Sequence, residues 1–209
     1  MRLTIRGAVL FVALGLATST LAGYRFDWSP AEIDCAGSIG IDLASAPPRP
    51  TDQHFVRHLT WLSDLVIYGV VTEVKHDITG VYSTIATIQI LSVKKGTPPD
   101  GGVLYLNLES GPSYYAPRGV MAEHITPGEP GISANQTVLL FLTTSYLQSG
   151  TTPNPFALAP SHYRLVDEGK WLVVGTQARF QDLSQTVLSM SWINSEITLT
   201  VSKQSALCQ

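Results

Sequence analysis

The sequence predicts a mainly β fold, a small closed or partly open barrel with short flanking helices. Three observations carry this. Apolar residues alternate, or run unbroken, over short stretches near 64–75, 81–94, 103–108, 137–143, 163–166 and 171–174. Between them lie clusters drawn from 17 Gly and 13 Pro, the residues that turn a chain. Hydrophobic residues make up 44% of the 209 and charged residues only 14%, so one substantial core is affordable.

Taken in order, the chain opens with Arg2 and Arg6, then the apolar run Gly7 to Ala17, then small residues ending near Ala22. This is the pattern of a secretory signal peptide over 1–22, with Thr20 and Ala22 as the small residues read at cleavage. The rival reading is a membrane anchor, but the run is shorter than the roughly 20 apolar residues a spanning helix needs. Cleavage removes two basic residues and no acidic one, leaving the mature chain more acidic than the −3 of the whole. That charge argues against nucleic acid or an anionic lipid surface as partner. No membrane span is expected after cleavage, and the expected location is secreted or periplasmic, with cell-surface association possible.

Residues 23–50 read as an extended leader, ending in Ala46-Pro47-Pro48-Arg49-Pro50, which suits neither helix nor central strand. A single domain is expected over 51–205. It begins with a short helix over 51–63, where Phe55, Leu59 and Leu62 recur at helical spacing and Thr51 or Asp52 is placed to cap. Asp64 to Lys75 reads as a largely buried strand, with Gly69 marking a bend or bulge. After a hairpin connection at 76–80, Val81 to Lys94 is long enough to bend round a barrel corner. A turn at 94–102 leads to Val103–Leu108.

Glu109 to Asn135 is polar and rich in Gly and Pro, a long loop. Thr137 to Thr143 has the unbroken apolar character of a central strand. A second Pro-rich loop spans 149–160, followed by Tyr163–Val166, a hairpin turn at Asp167-Glu168-Gly169-Lys170, and a returning strand Trp171–Val174. The tail is ambiguous between helix and strand. The need to cover one barrel end favours a helix from about Leu188 to Ser202.

Cys35 and Cys208 are the only cysteines. In an exported chain an even count favours one disulfide, here tying the start of the mature chain to its last residue but one. The spacing matches no Cys-x-x-Cys redox motif and no Cys-rich zinc site.

At this point the run Ser63 to Val74 resembles the first barrel strand of the netrin-like, or tissue-inhibitor-of-metalloproteinase-like, family. Val93-Lys94-Lys95-Gly96 resembles that family's close of the second strand. Thr137–Thr143 is similar to its central strand and Tyr163–Val174 to its late hairpin. The resemblance covers roughly residues 60–175 and implies a five-stranded, partly open barrel of the oligonucleotide/oligosaccharide-binding type. It does not carry metalloproteinase inhibition across. The inhibitors grip zinc through an N-terminal cysteine, whereas Cys35 lies inside the expected mature chain, and the family's further disulfides have no cysteines here.

No site in the sequence announces catalysis. His54 and His58 are four apart on the expected helix, but no Glu follows His54, so the metalloprotease motif is absent and no metal is assigned. There is no Gly-x-Ser-x-Gly elbow, phosphate loop or dinucleotide fingerprint, and no cofactor is implied. Glu73, Glu109, Glu123 and Glu129 read as surface charges. Trp61, Trp171 and Trp192 read as core or core-edge, and Asn135-Gln136-Thr137 is an acceptor pattern for N-glycosylation.

Aromatics beside loops make the better binding case, namely Tyr105, Tyr114, Tyr115, Tyr146 and Phe156. The alternative is that they fold over the barrel ends and close its core. The expected function is a secreted, non-enzymatic binding domain for an extracellular or periplasmic protein. Its expected site is the face of the two long loops, with Tyr114, Tyr115 and Phe156 as anchors and Arg118 and Glu123 at the rim. The alternatives are a secreted hydrolase with loop-borne residues, or a structural cell-envelope protein.

Overall fold

The computed structural model describes residues 29–43, 54–76, 84–115, 120–124, 131–144, 161–180 and 186–208. Its helices are α1 (Pro30–Ser38), α2 (Phe55–Leu62) and α3 (Met190–Leu207). Its strands are β1 (Leu65–His76), β2 (Thr84–Lys95), β3 (Val103–Leu108), β4 (Gly111–Tyr115), β5 (Val120–His124), β6 (Thr137–Thr143), β7 (His162–Val174), β8 (Gln177–Phe180) and β9 (Val187–Ser189).

The central strands are apolar on both faces because both faces are covered. Along the antiparallel β1–β6 ladder, the pairs Leu65–Leu142, Ile67–Leu140 and Gly69–Val138 alternate with Val66–Phe141 and Tyr68–Leu139. The first set joins Val71, Ala86, Ile88, Leu104, Leu106, Leu108 and Leu165 inside the barrel. The second set meets Phe55, Val56 and Leu59 of α2, Ile193 and Ile197 of α3, and Trp171, Val173 and Phe180. Each fully buried aliphatic or aromatic side chain contributes about 1.5–3 kcal/mol, so two cores share one pair of strands. Phe55, Trp171 and Phe180 form an aromatic trio in the outer core, with ring centroids 5.0 to 6.0 Å apart.

The strand order is β3-β2-β1-β6-β7-β8-β9, and a parallel pairing of β3 with β7 closes the first five strands into a barrel. Closure rests on two residue pairs, Tyr105–His162 and Leu106–Tyr163. The expected mainly β, five-stranded barrel with short flanking helices is therefore present, and it is closed rather than partly open. β1 shared between β2 and β6, and closed by a parallel seam, is an oligonucleotide/oligosaccharide-binding-like topology. β8 and β9, neither expected from sequence, extend the sheet past the barrel.

Gly69 does mark a bulge. The β1–β2 register shifts between Tyr68 and Gly69, and a Cβ on Gly69 would lie 2.8 Å from the Gln89 carbonyl oxygen.

Four expectations are corrected. The leader over 23–50 is not extended throughout, because Pro30–Ser38 is helical. Ser29 and Glu32 form a reciprocal capping box and Pro30 opens the first turn, a local signal that outweighs the prolines further on. Cys35 sits in this helix, and Ala36, Ile39, Ile41 and Leu43 pack on Trp61. The segment 167–170 is no turn, since β7 runs unbroken from His162 to Val174. Leu165 pairs with Leu142 and Lys170 with Leu140, so the extra residues form a bulge on β7. Gly169 lets it pass, since a Cβ there would lie 2.6 Å from the Val166 oxygen and 2.7 Å from the Phe141 oxygen.

The loop over 109–135 contains the β4–β5 hairpin, a separate two-stranded sheet. Finally, α2 starts at Phe55 with His54 in the cap position and no side-chain cap, while Thr51 and Asp52 lie outside the described residues. The expected signal segment over 1–22 and the expected loop over 149–160 also lie outside them. Among the described residues no helix is long and apolar enough to cross a membrane.

The expected C-terminal helix is present, starting at Met190 and running on to Leu207. Its end carries Cys208 to Cys35, a disulfide across a sequence separation of 173 with Cα atoms 5.6 Å apart. A crosslink closing so long a loop is expected to stabilise by about 4–5 kcal/mol in the chain-entropy model. The paired variant Cys35→Ser/Cys208→Ser should lose about 2–5 kcal/mol in urea unfolding. An unchanged midpoint would show that the latch carries no stability. Gly169→Ala should cost about 1–3 kcal/mol through overpacking against backbone, read from the same unfolding curves.

Candidate functional site

The outer surface divides by what covers it. Over β1, β6 and the later part of β7 it is packed under α2 and α3. Over β2 it mixes polar side chains with the exposed aliphatics Leu91 and Val93, and over β3 and the start of β7 it carries polar and aromatic side chains.

Alternation along β3 sends Leu104, Leu106 and Leu108 into the barrel and leaves Tyr105 and Asn107 on the other side, with Glu109 following. On β7, His162 and Arg164 alternate with Tyr163 and Leu165, which pack on the interior. The parallel pairing brings these outer residues together. The Tyr105 ring stacks on His162 at 4.9 Å between centroids and 25° between planes. His162 Nδ1 lies 3.1 Å from Asn107 Oδ1. Arg164 Nη2 donates to Glu109 Oε1, an ion pair that ties the end of β3 to β7. Burial shifts the His162 pKa down from its ordinary value, which favours the neutral ring that stacks on Tyr105. Tyr105 itself remains 39% exposed.

The hairpin follows directly. Gly111 of β4 pairs with His124 of β5, Pro112 with Glu123, Ser113 with Ala122, Tyr114 with Met121 and Tyr115 with Val120. Met121 is 54% exposed. Of the expected site residues, the backbone thus places Tyr114, Tyr115 and Glu123 in one hairpin, with Tyr114 and Glu123 at register positions of the same parity. Arg118, Phe156 and Tyr146 lie outside the described residues.

Sequence reading missed the seam of Asn107, His162 and Arg164. No local pattern marks it, because strands far apart in the chain assemble it. It also missed Met121, whose exposure and place opposite Tyr114 come only from the hairpin pairing.

The histidine pair does not read as a ligand set. His58 is only 2% exposed, and burial pushes its pKa from 6.5 down to about 4 against the opposing pull of Asp42. Among the described residues no group of three His, Cys, Asp or Glu side chains comes together as a metal site would need. Glu73 forms an exposed ion pair with Lys75 at 3.0 Å.

Two lysines, Lys95 half-buried and Lys170 fully buried, have structural partners. Lys95 Nζ donates to the Thr60 carbonyl at 2.8 Å, at the end of α2 where a cation suits the helix dipole. Burial lowers its pKa to about 8, with Asp64 acting the other way. Lys170, fully buried, donates to the Gly131 carbonyl and so holds the chain that returns from the hairpin, and burial lowers its pKa to about 8 as well. Asn135 takes a left-handed conformation (φ 66°), and its N–H donates to the Val71 carbonyl at 2.8 Å. That places the glycosylation-type triplet at an exposed turn entering β6. On α3, Asn194, Ser195, Thr198, Leu199 and Ser202 line an open recess of about 480 Å³.

A scan against protein-family models finds no match to this chain, and a search of curated proteins finds none either.

His58 sets an acid limit. Unfolded, it takes up a proton near 6.5, whereas folded it resists until about 4. Between those values the unfolded chain binds more protons, so stability is full above pH 6.5 and falls as pH drops toward 4. The loss should reach about 3 kcal/mol at the lower end. Urea unfolding from pH 7 to 4 should show this slope in the wild type and a flatter one in His58→Gln. Parallel slopes would remove His58 as the cause.

Proposed function

We propose that the chain is a secreted or periplasmic, non-enzymatic interaction module of the netrin-like type, binding another extracellular or periplasmic protein. The observation that carries this reading is the β4–β5 hairpin. It is a two-stranded sheet outside the barrel sheet, bearing Tyr114 and Tyr115 and an exposed Met121. A lone two-stranded sheet is marginal in water, and a partner surface supplies the missing cover. Tyrosine and methionine suit that task, with large contact area and adaptable shape.

The barrel supplies a rigid base. Arg164 with Glu109, and Lys170 with Gly131, hold the chain on either side of the hairpin. By residue type, Phe156 is proposed as a further anchor and Arg118 and Glu123 as rim charges. The netrin-like reading draws its support from the barrel topology and the C-terminal helix. The export reading draws on the N-terminal segment and on the disulfide, which belongs to oxidising compartments.

The test is affinity capture from the extracellular or periplasmic fraction, comparing wild type with a Tyr114→Ser/Tyr115→Ser/Phe156→Ser variant. Loss of three anchors, of which one of about 2 kcal/mol suffices for more than tenfold, predicts at least a tenfold weaker interaction with the same captured protein, at unchanged unfolding midpoint. Capture of that protein by both forms with equal affinity would move the site elsewhere.

A further inference from the structure

Among the described residues no further strand pairs with either outer edge of the hairpin, and the two edges are not equivalent. In an antiparallel ladder, residues that exchange both backbone bonds alternate with residues whose N–H and C=O point away from the partner strand. Pro112 has no N–H, so its pairing with Glu123 is of the second kind. The alternation then follows for the whole hairpin. Gly111, Ser113 and Tyr115 exchange bonds with His124, Ala122 and Val120. Pro112 and Tyr114 point their backbone groups out from β4, and Met121 and Glu123 point theirs out from β5. On the β4 edge Pro112 removes a donor, the usual way an edge is closed to further pairing. The β5 edge keeps both donors and both acceptors.

That edge is self-complementary. Ala122 is the middle residue of the strand Val120–His124. Rotation about a two-fold axis through Ala122 sets two copies of β5 antiparallel. Met121 then faces Glu123 of the second copy, and Glu123 faces its Met121. These are the residues with outward backbone groups, so each such pair exchanges both bonds. Ala122 meets its own copy at the close, non-exchanging position, where the small side chain suits the approach. Val120 falls opposite His124 of the second copy, and no like charges oppose each other. A register centred on Glu123 would set two carboxylates face to face, and one centred on Met121 would leave part of the strand unpaired.

We propose that two copies of this chain join through β5 into a continuous four-stranded sheet, β4-β5-β5-β4, closed at both ends by Pro112. The occupant of the open edge is thus a second copy of the chain. The assembly turns two marginal hairpins into one sheet of ordinary size, and because the interface is isologous it stops at the dimer. The proposal concerns the backbone edge and does not depend on the partner proposed above, since it requires only this chain.

Analytical ultracentrifugation of the purified mature chain, over a wide concentration series, reads the outcome directly. The wild type should shift from one chain to two with rising concentration, and Met121→Pro, which removes an outward N–H while sparing the hairpin's own bonds, should stay at one. Ala122→Cys provides a second reading, because Cα atoms about 4.5 Å apart at the close position accept a disulfide. Mild oxidation should give a covalent dimer mapped to Cys at 122 in both copies, and Ser113→Cys in β4 should give none. A wild type that remains a single chain at every concentration, or equal crosslinking at 113 and 122, overturns the proposal. Should Met121→Pro fail to fold, the wild-type and cysteine measurements still decide it.

Discussion

Everything else in this fold depends on the first half of β1 and the whole of β6 being covered on both faces. One set of their side chains fills the barrel, and the other set lies under α2 and α3. A strand apolar on both faces cannot sit at a surface, so the chain must supply both a barrel and a cover. β2, β3 and the start of β7 complete the first, and the two helices with β8 complete the second. The disulfide acts at the outermost level, joining α1 to the end of α3. The Arg57–Glu196 ion pair links α2 to α3 inside the same layer.

That arrangement also decides where interaction is possible. The helix-covered side is committed to folding. The opposite side keeps the polar seam of Tyr105, Asn107, His162, Glu109 and Arg164, and the hairpin that grows from it. The seam has a mechanical part as well. Barrel closure rests on two parallel backbone pairs, few for a strand junction, and the stacked ring, the histidine contact and the ion pair add side-chain bonds at the same place. The surface proposed for interaction and the point of closure are therefore neighbours.

The fold was legible where a signal is local and periodic. The unbroken apolar runs at 65–71 and 138–142 require two covered faces, and Gly69 in a strand requires a bulge. The lone pair of cysteines left one possible bridge. Reading failed where two local signals competed. The capping box at Ser29 and Glu32 was overshadowed by the prolines that follow, and Asp167-Glu168-Gly169-Lys170 has turn composition yet lies in a continuous strand. Tyr114, Tyr115 and Glu123 were found as candidates by residue type, but in a loop, because Gly111-Pro112 reads as a break.

By itself, then, the sequence determined which residues must leave water, in what alternation, and which two sulfurs can join. Those properties follow from side-chain chemistry and spacing along the chain. Only the tertiary structure decided that Glu168 and Gly169 belong to a bulge, because β6 continues to pair on either side of it. Only it brought Tyr105 to His162 and Glu109 to Arg164, across a parallel junction between strands distant in sequence. Partners of that kind share no local pattern. They are selected by the closure of the barrel, which depends on the packing of the whole core.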